Sequence, residues 1–151
     1  MDKTQLGDLV KSLMPDVEVK EGKQYAEVLV SPALLHELAG KLKVNEAASF
    51  DYLISITGVD LGKDLGVTYH MSSTKHRHII VVKTRVSDRE NPVVDSVCDL
   101  WATAEFQERE VYDLLGVKFN NHPDLRRLFL DSSWGFPLRK DYVDDINIVS
   151  K

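Results

Sequence analysis

Arg77-His78-Ile79-Ile80-Val81-Val82-Lys83-Thr84-Arg85-Val86 is the stretch that decides the fold. Its middle four apolar residues run without alternation. Both faces of that strand must then be covered, so it belongs at the centre of a sheet. Upstream of it, Ser73-Thr74-Lys75-His76 reads as a turn and Val67 to Ser72 as a second strand. Gly58 to Gly66, rich in glycine and aspartate, reads as a loop. Phe50 to Thr57 alternates as a strand. Phe50, Tyr52, Ile54 and Ile56 are expected on one face, Asp51, Ser55 and Thr57 on the other, with Leu53 the exception.

Further upstream, Ser31-Pro32 opens a helix as N-cap and first helical residue. Leu34, Leu35, Leu38 and Leu42 give that helix its apolar stripe, and Gly40 weakens its last turn. Val17 to Lys20 and Tyr25 to Val30 pair as a hairpin around Glu21-Gly22-Lys23. Leu6, Leu9, Val10 and Leu13 recur at helical spacing over residues 3–13, and Pro15 stops them.

Downstream, Asp88 to Pro92 is a polar loop and the clearest hinge in the chain. From Val94 the period becomes helical, as one helix or as two broken near Ala102-Thr103, and Gly116 ends it. The 35 residues after Gly116 sustain no period. Their Phe129, Trp134, Phe136 and Tyr142 argue against disorder and for an arm laid on a partner. The expected fold class is α+β, a single domain with a mixed β-sheet, helices packed on one face and an extended C-terminal arm. Residues 1–116 form the α+β domain and 117–151 the arm.

A chain of 151 residues can bury a real core. Its net charge of -5 argues against nucleic acid as the main partner. One cysteine, Cys98, excludes a disulfide framework and a cysteine-ligated zinc or iron–sulfur site, and its apolar context reads as a small buried hydrophobe. No apolar run approaches the ~20 residues of a membrane helix, and the first residues lack signal-peptide character. A cytoplasmic chain that meets a membrane only through other subunits is expected.

Charge and aromatics concentrate from Glu108 to Tyr142. Glu105, Arg109 and Asp113 stand four apart, the spacing of a solvated salt-bridge ladder. Glu108 falls at the edge of the apolar stripe. A half-buried carboxylate there needs a cation, and Arg126, Arg127 and Arg139 are the candidates to fold back onto Glu108 and Glu110. His122-Pro123 reads as a hydrogen-bonding corner piece. His70, His76 and His78 read as solvated strand histidines, since no carboxylate or cysteine completes a ligand set near them. A stand-alone enzyme using Glu108, His122 and Arg126 on a small acidic substrate is the sharper alternative.

Two motifs in this region carry a resemblance. Glu108-Arg109-Glu110, Asp113-Leu114-Leu115, His122 and Arg126 form the first, and Pro137-Leu138-Arg139-Lys140-Asp141-Tyr142 the second. Together they resemble the signature of the 30 kDa-type subunit (the C subunit) of the proton-pumping NADH–quinone oxidoreductase, complex I. Asn121 stands where that family commonly has glycine, and it tolerates left-handed backbone. The resemblance implies a non-catalytic, cofactor-free member of the peripheral arm, on the cytoplasmic face of the inner membrane. Its implied partners are the large quinone-site subunit (the D subunit) and neighbouring iron–sulfur subunits. Flavin, clusters and quinone would belong to those partners. Glu108, Arg109, Glu110, Asp113, His122, Arg126, Arg127, Trp134, Arg139, Lys140 and Tyr142 would be interface residues. Equivalent subunits of membrane-bound hydrogenases or ferredoxin-fed complexes are the nearest alternative.

Overall fold

The computed structural model describes residues 2–126 and 135–139. Helix α1 (Lys3–Leu13) starts at Asp2, whose carboxylate accepts the Gln5 N–H while the Gln5 side chain accepts the Asp2 N–H. This reciprocal cap satisfies two donors that a helix start leaves free. The hairpin of β1 (Glu18–Glu21) and β2 (Ala26–Leu29) follows, then α2 (Pro32–Val44), with Ser31 in the N-cap position but making no side-chain cap bond. Strands β3 (Tyr52–Asp60), β4 (Leu65–Ser73) and β5 (His78–Val86) form a meander. Short β6 (Val93–Asp95), α3 (Ala104–Leu115) and β7 (Lys118–Asn120) complete the order.

The five-stranded sheet runs β1-β2-β5-β4-β3, with β5 at its centre, where its apolar run belongs. Only β2 and β5 are parallel in this sheet, so it is mixed. Register fixes the two faces. Val28, Val82, Tyr69 and Ile56 line up across four strands and are all buried. Glu27, Val81, His70 and Ser55 line up on the opposite face.

All three helices cover the first of these faces. Gly7 of α1 sits so close to Val19 that an added Cβ would lie 2.9 Å from it. Leu35, Leu38 and Leu42 of α2 are buried in the same core. At Gly58 of β3 an added Cβ would lie 2.3 Å from Leu115 of α3. The molecule is a two-layer α+β domain, and β6 and β7 form a small parallel sheet beside it.

Several sequence expectations change here. The residues expected as a loop from Gly58 to Gly66 mostly continue β3 and β4, leaving a turn at 61–64. Gly58 is present for the helix contact rather than for a turn. The facing expected along β3 fails at Tyr52 and Ile54, which are exposed, while Leu53 is buried. A bulge between Leu53 and Ser55 leaves Ile54 as an extra residue and reverses the alternation, so Leu53 and Ile56 both point into the core. The helix expected from Val94 begins only at Ala104, because 93–95 pair with 118–120. The first residues of the expected arm therefore form a strand. The expected hinge at 88–92 is tied down: Arg89 holds the buried Asp60 carboxylate through two hydrogen bonds of 2.7 and 2.8 Å.

Candidate functional site

The charge-rich segment is built on α3. This helix starts after Thr103 and ends at Gly116, whose φ of 80° is left-handed, as a C′ glycine requires. Its buried positions are Ala104, Glu108, Arg109, Val111, Asp113 and Leu115. Half of these are ionisable, so the ladder expected to be solvated has two of its three members, Arg109 and Asp113, inside the protein.

Glu108 is 0% exposed rather than half-buried. Its Oε1 accepts the Ser96 hydroxyl at 2.6 Å and the Cys98 thiol at 3.0 Å, and its Oε2 accepts the Val97 N–H at 3.0 Å. The turn that follows β6 thus wraps the carboxylate with three donors. Burial raises the Glu108 pKa above its ordinary value, and the donors and nearby His122 oppose that shift. Burial likewise pushes the Cys98 thiol up to about 12, a shift the Ser96 bond opposes and the Glu108 carboxylate reinforces. Such a thiol is a hydrogen-bond donor, not a nucleophile. Burial, and then the charges of Glu108 and Asp95, push the enclosed Tyr69 phenol well up.

His122 closes the cluster from the other side. Its Nδ1 accepts the Asp124 N–H at 3.0 Å, which leaves the ring proton on Nε2, donated to the Glu105 carbonyl at 2.9 Å. The corner-piece reading of His122 holds, and Asn121 beside it has a left-handed φ of 65°. His122 Nε2 lies 4.0 Å from Glu108 Oε1. Cys98, Glu108 and His122 thereby bring three donor atoms within 4.8 Å of one another, the spacing of a metal-ligand set. Each is already committed: the thiol to Glu108, the carboxylate to three donors and both imidazole nitrogens to the backbone. The arrangement is a closed hydrogen-bond network.

Two of the three arginines expected on Glu108, Arg126 and Arg139, are elsewhere. Arg126 is exposed and pairs with Asp124 at 3.0 Å, while its carbonyl accepts from Arg109 Nε at 3.2 Å. Arg139 donates to the Leu115 carbonyl at 2.6 Å, and the Leu138 N–H to the Leu114 carbonyl at 3.0 Å. The returning 135–139 segment therefore caps α3. Phe136 packs 6.3 Å from Tyr112, and a Cβ at Gly116 would lie 2.7 Å from the Phe136 ring. Glu110 is exposed. Arg127, Trp134, Lys140 and Tyr142 lie outside the described residues.

His78 is not solvated as expected. It is buried, donates from Nε2 to the Ala48 carbonyl at 2.7 Å, and stacks 5.5 Å from His76. Burial lowers its pKa. Sequence reasoning missed Ser96 and the Val97 N–H as the partners of Glu108, because the helical period read from Val94 conceals a strand end and a turn. It also missed Gln107, whose side-chain carbonyl accepts the Ile56 N–H at the open edge of β3. No helix among the described residues is long and apolar enough to cross a membrane.

Residues 28–145 match the family model described as respiratory-chain NADH dehydrogenase, 30 Kd subunit. A Moorella thermoacetica protein, named as the C subunit of NADH-quinone oxidoreductase, is 40% identical, over 88% of this chain and 90% of its own. A Phocaeicola vulgatus protein, named as the C/D subunit of NADH-quinone oxidoreductase, is 51% identical over 75% of this chain. The match spans only 22% of that longer protein. In fold, the chain superposes with a TM-score of 0.80 on a chain of the membrane-bound sulfane sulfur reductase, an archaeal respiratory membrane complex. That superposition covers 92% of this chain and 84% of the other, at 24% identity.

Proposed function

Because the chain belongs to the 30 kDa-subunit family of respiratory-chain NADH dehydrogenases, we propose that it serves as a cofactor-free C subunit that docks on the large quinone-site partner, the D subunit. It holds that partner's geometry within a proton-translocating NADH–quinone oxidoreductase. Electron transfer and quinone chemistry belong to the partners, and the chain meets the membrane peripherally, through the complex. The observation that carries this reading is the enclosure of the family's charged motif. Glu108 ties the preceding turn to α3, Arg109 ties α3 to the Arg126 carbonyl, and Asp113 is fully buried. A rigid surface is what a scaffold supplies.

The joint naming of relatives as C/D proteins supports the large quinone-site subunit as the partner. The rival enzyme finds no support. Glu108 is sealed from solvent, His122 has both nitrogens bonded, and Arg126 faces Asp124. The test is tagged expression of the chain within its own complex, followed by mass spectrometry of what co-purifies. The large quinone-site subunit and an NADH-binding flavoprotein are expected. The former without the flavoprotein shifts the reading to a ferredoxin-fed or hydrogenase-type complex, and capture of neither overturns it. Replacing Arg139 should lower the amount of assembled complex more than the turnover of what assembles. Fully assembled but inactive complex would count against a scaffold.

A further inference from the structure

We infer that the β3 edge and the outward side of α3, centred on Phe106, Ile54 and Tyr52, form the seat of the large quinone-site subunit. This inference rests on the docking reading above and places it on residues outside the charged motif. Of the motif's charged residues on α3, Glu108, Arg109 and Asp113 turn inward, and what α3 presents outward is Phe106 and the motif's Glu110, one turn apart. Phe106 is 59% exposed, and its ring is held 5.8 Å from the Arg109 guanidinium.

The other exposed large apolar side chains gather at the same edge. Tyr52, Ile54 and Val59 belong to β3, Leu61 follows it, and Leu138 sits in the segment packed on the end of α3. Among the described residues Val44, at the end of α2, alone lies elsewhere. The two sheet edges contrast. β1 carries Glu18, Lys20 and Glu21, the charges that discourage edge pairing, whereas β3 carries exposed aromatic and aliphatic residues. The Gln107 bond to the Ile56 N–H fixes α3 along β3, so exposed Phe106, next to Gln107, and exposed Ile54, two residues before Ile56, flank that tie.

Two observations select the occupant. In the longer C/D relatives this segment makes up about a fifth of one polypeptide, so a far larger part of the same chain is tethered beside it. The described residues 135–139, from the C-terminal part of this segment, pack on the end of α3 at Leu114 and Leu115. Exposed Glu110 and Asp51 border the strip. The matching surface on the large partner is an apolar pocket with a basic rim.

The test co-expresses the tagged chain with the large quinone-site subunit of its own complex and measures capture. Phe106→Asp and Ile54→Asp should each lower it about tenfold or more, and Val44→Asp should leave it unchanged. Melting temperature checks that each variant is folded. If an edge variant is unfolded, a photo-crosslinking amino acid at position 106 in the otherwise native chain replaces it and should link to the large quinone-site subunit. A cross-link to a second copy of this chain or to another subunit overturns the inference. So does wild-type-like capture by folded Phe106→Asp, with docking itself intact. Failure of the native chain to capture the large quinone-site subunit overturns the docking reading and this inference together.

Discussion

A carboxylate without water must find its donors in the protein, and Glu108 finds them in one short turn, at Ser96, Val97 and Cys98. Its charge is still disfavoured, since burial raises its pKa above the ordinary 4.5. Below that value both folded and unfolded chains hold the proton, and Glu108 costs nothing. As pH rises through the raised native value, the folded chain must carry a desolvated charge that the unfolded chain leaves in water, and stability is lost. Glu108→Gln removes that titration but sets an amide N–H against the Val97 N–H, at a cost of about 1–3 kcal/mol. The stability gap between native protein and Glu108→Gln, from urea midpoints, should be widest near pH 4.5 and narrow toward neutrality. A gap independent of pH would mean that Glu108 keeps an ordinary pKa. At this scale the sequence identified the need but not the partner. A carboxylate beside an apolar stripe demands donors, yet whether an arginine or a turn supplies them depends on where the preceding strand ends.

Helix α3 is finished by residues far along the chain, and Gly116 is where the two meet. A side chain there would suffer the left-handed backbone and the Phe136 ring at once. Gly116→Ala should therefore cost about 1–3 kcal/mol. It should also make the 135–139 segment more sensitive to limited proteolysis, and unchanged cleavage would separate the cap from the segment. Element boundaries were legible where local chemistry writes them. Pro32 and Gly116 mark helix ends, and the apolar Ile79–Val82 run marks the central strand. The boundaries that stayed hidden depend on distant contacts. Gly58 looks like a turn until Leu115 needs its space, and Val94 looks helical until Phe119 pairs with it. The Ile54 bulge carries no local signal and alone reverses the facing of β3.

Among the described residues, two sheets and three helices are held in register by a few polar ties over the common core. Arg89 and Asp60 are the clearest tie, joining the loop before β6 to the end of β3. Arg89→Ala leaves a buried carboxylate short of its two best donors and should cost about 3 kcal/mol. Asp60→Asn should cost less, and a double-mutant cycle should return a coupling of about 1 kcal/mol or more. Additive losses would show the two residues acting independently. Mixed sheet, helix layer and family motif were all readable beforehand, because pattern and composition fix them. Which side chains of α3 and β3 stay exposed was not, because exposure of Phe106 and Tyr52 depends on which way α3 and β3 turn.

The sheet order also sets a timetable. β3, β4 and β5 join through short turns, so that meander closes early. β2 must wait for β5, its parallel partner: Ala26 meets Ile80 only after the whole of α2, β3 and β4 has been made. The N-terminal hairpin and α1 then dock onto a surface that already exists, and the entropy of closing that long loop falls on the last step. A chain emerging from the ribosome can close the β1–β2 hairpin at once, but that hairpin has no sheet to join until β5 appears.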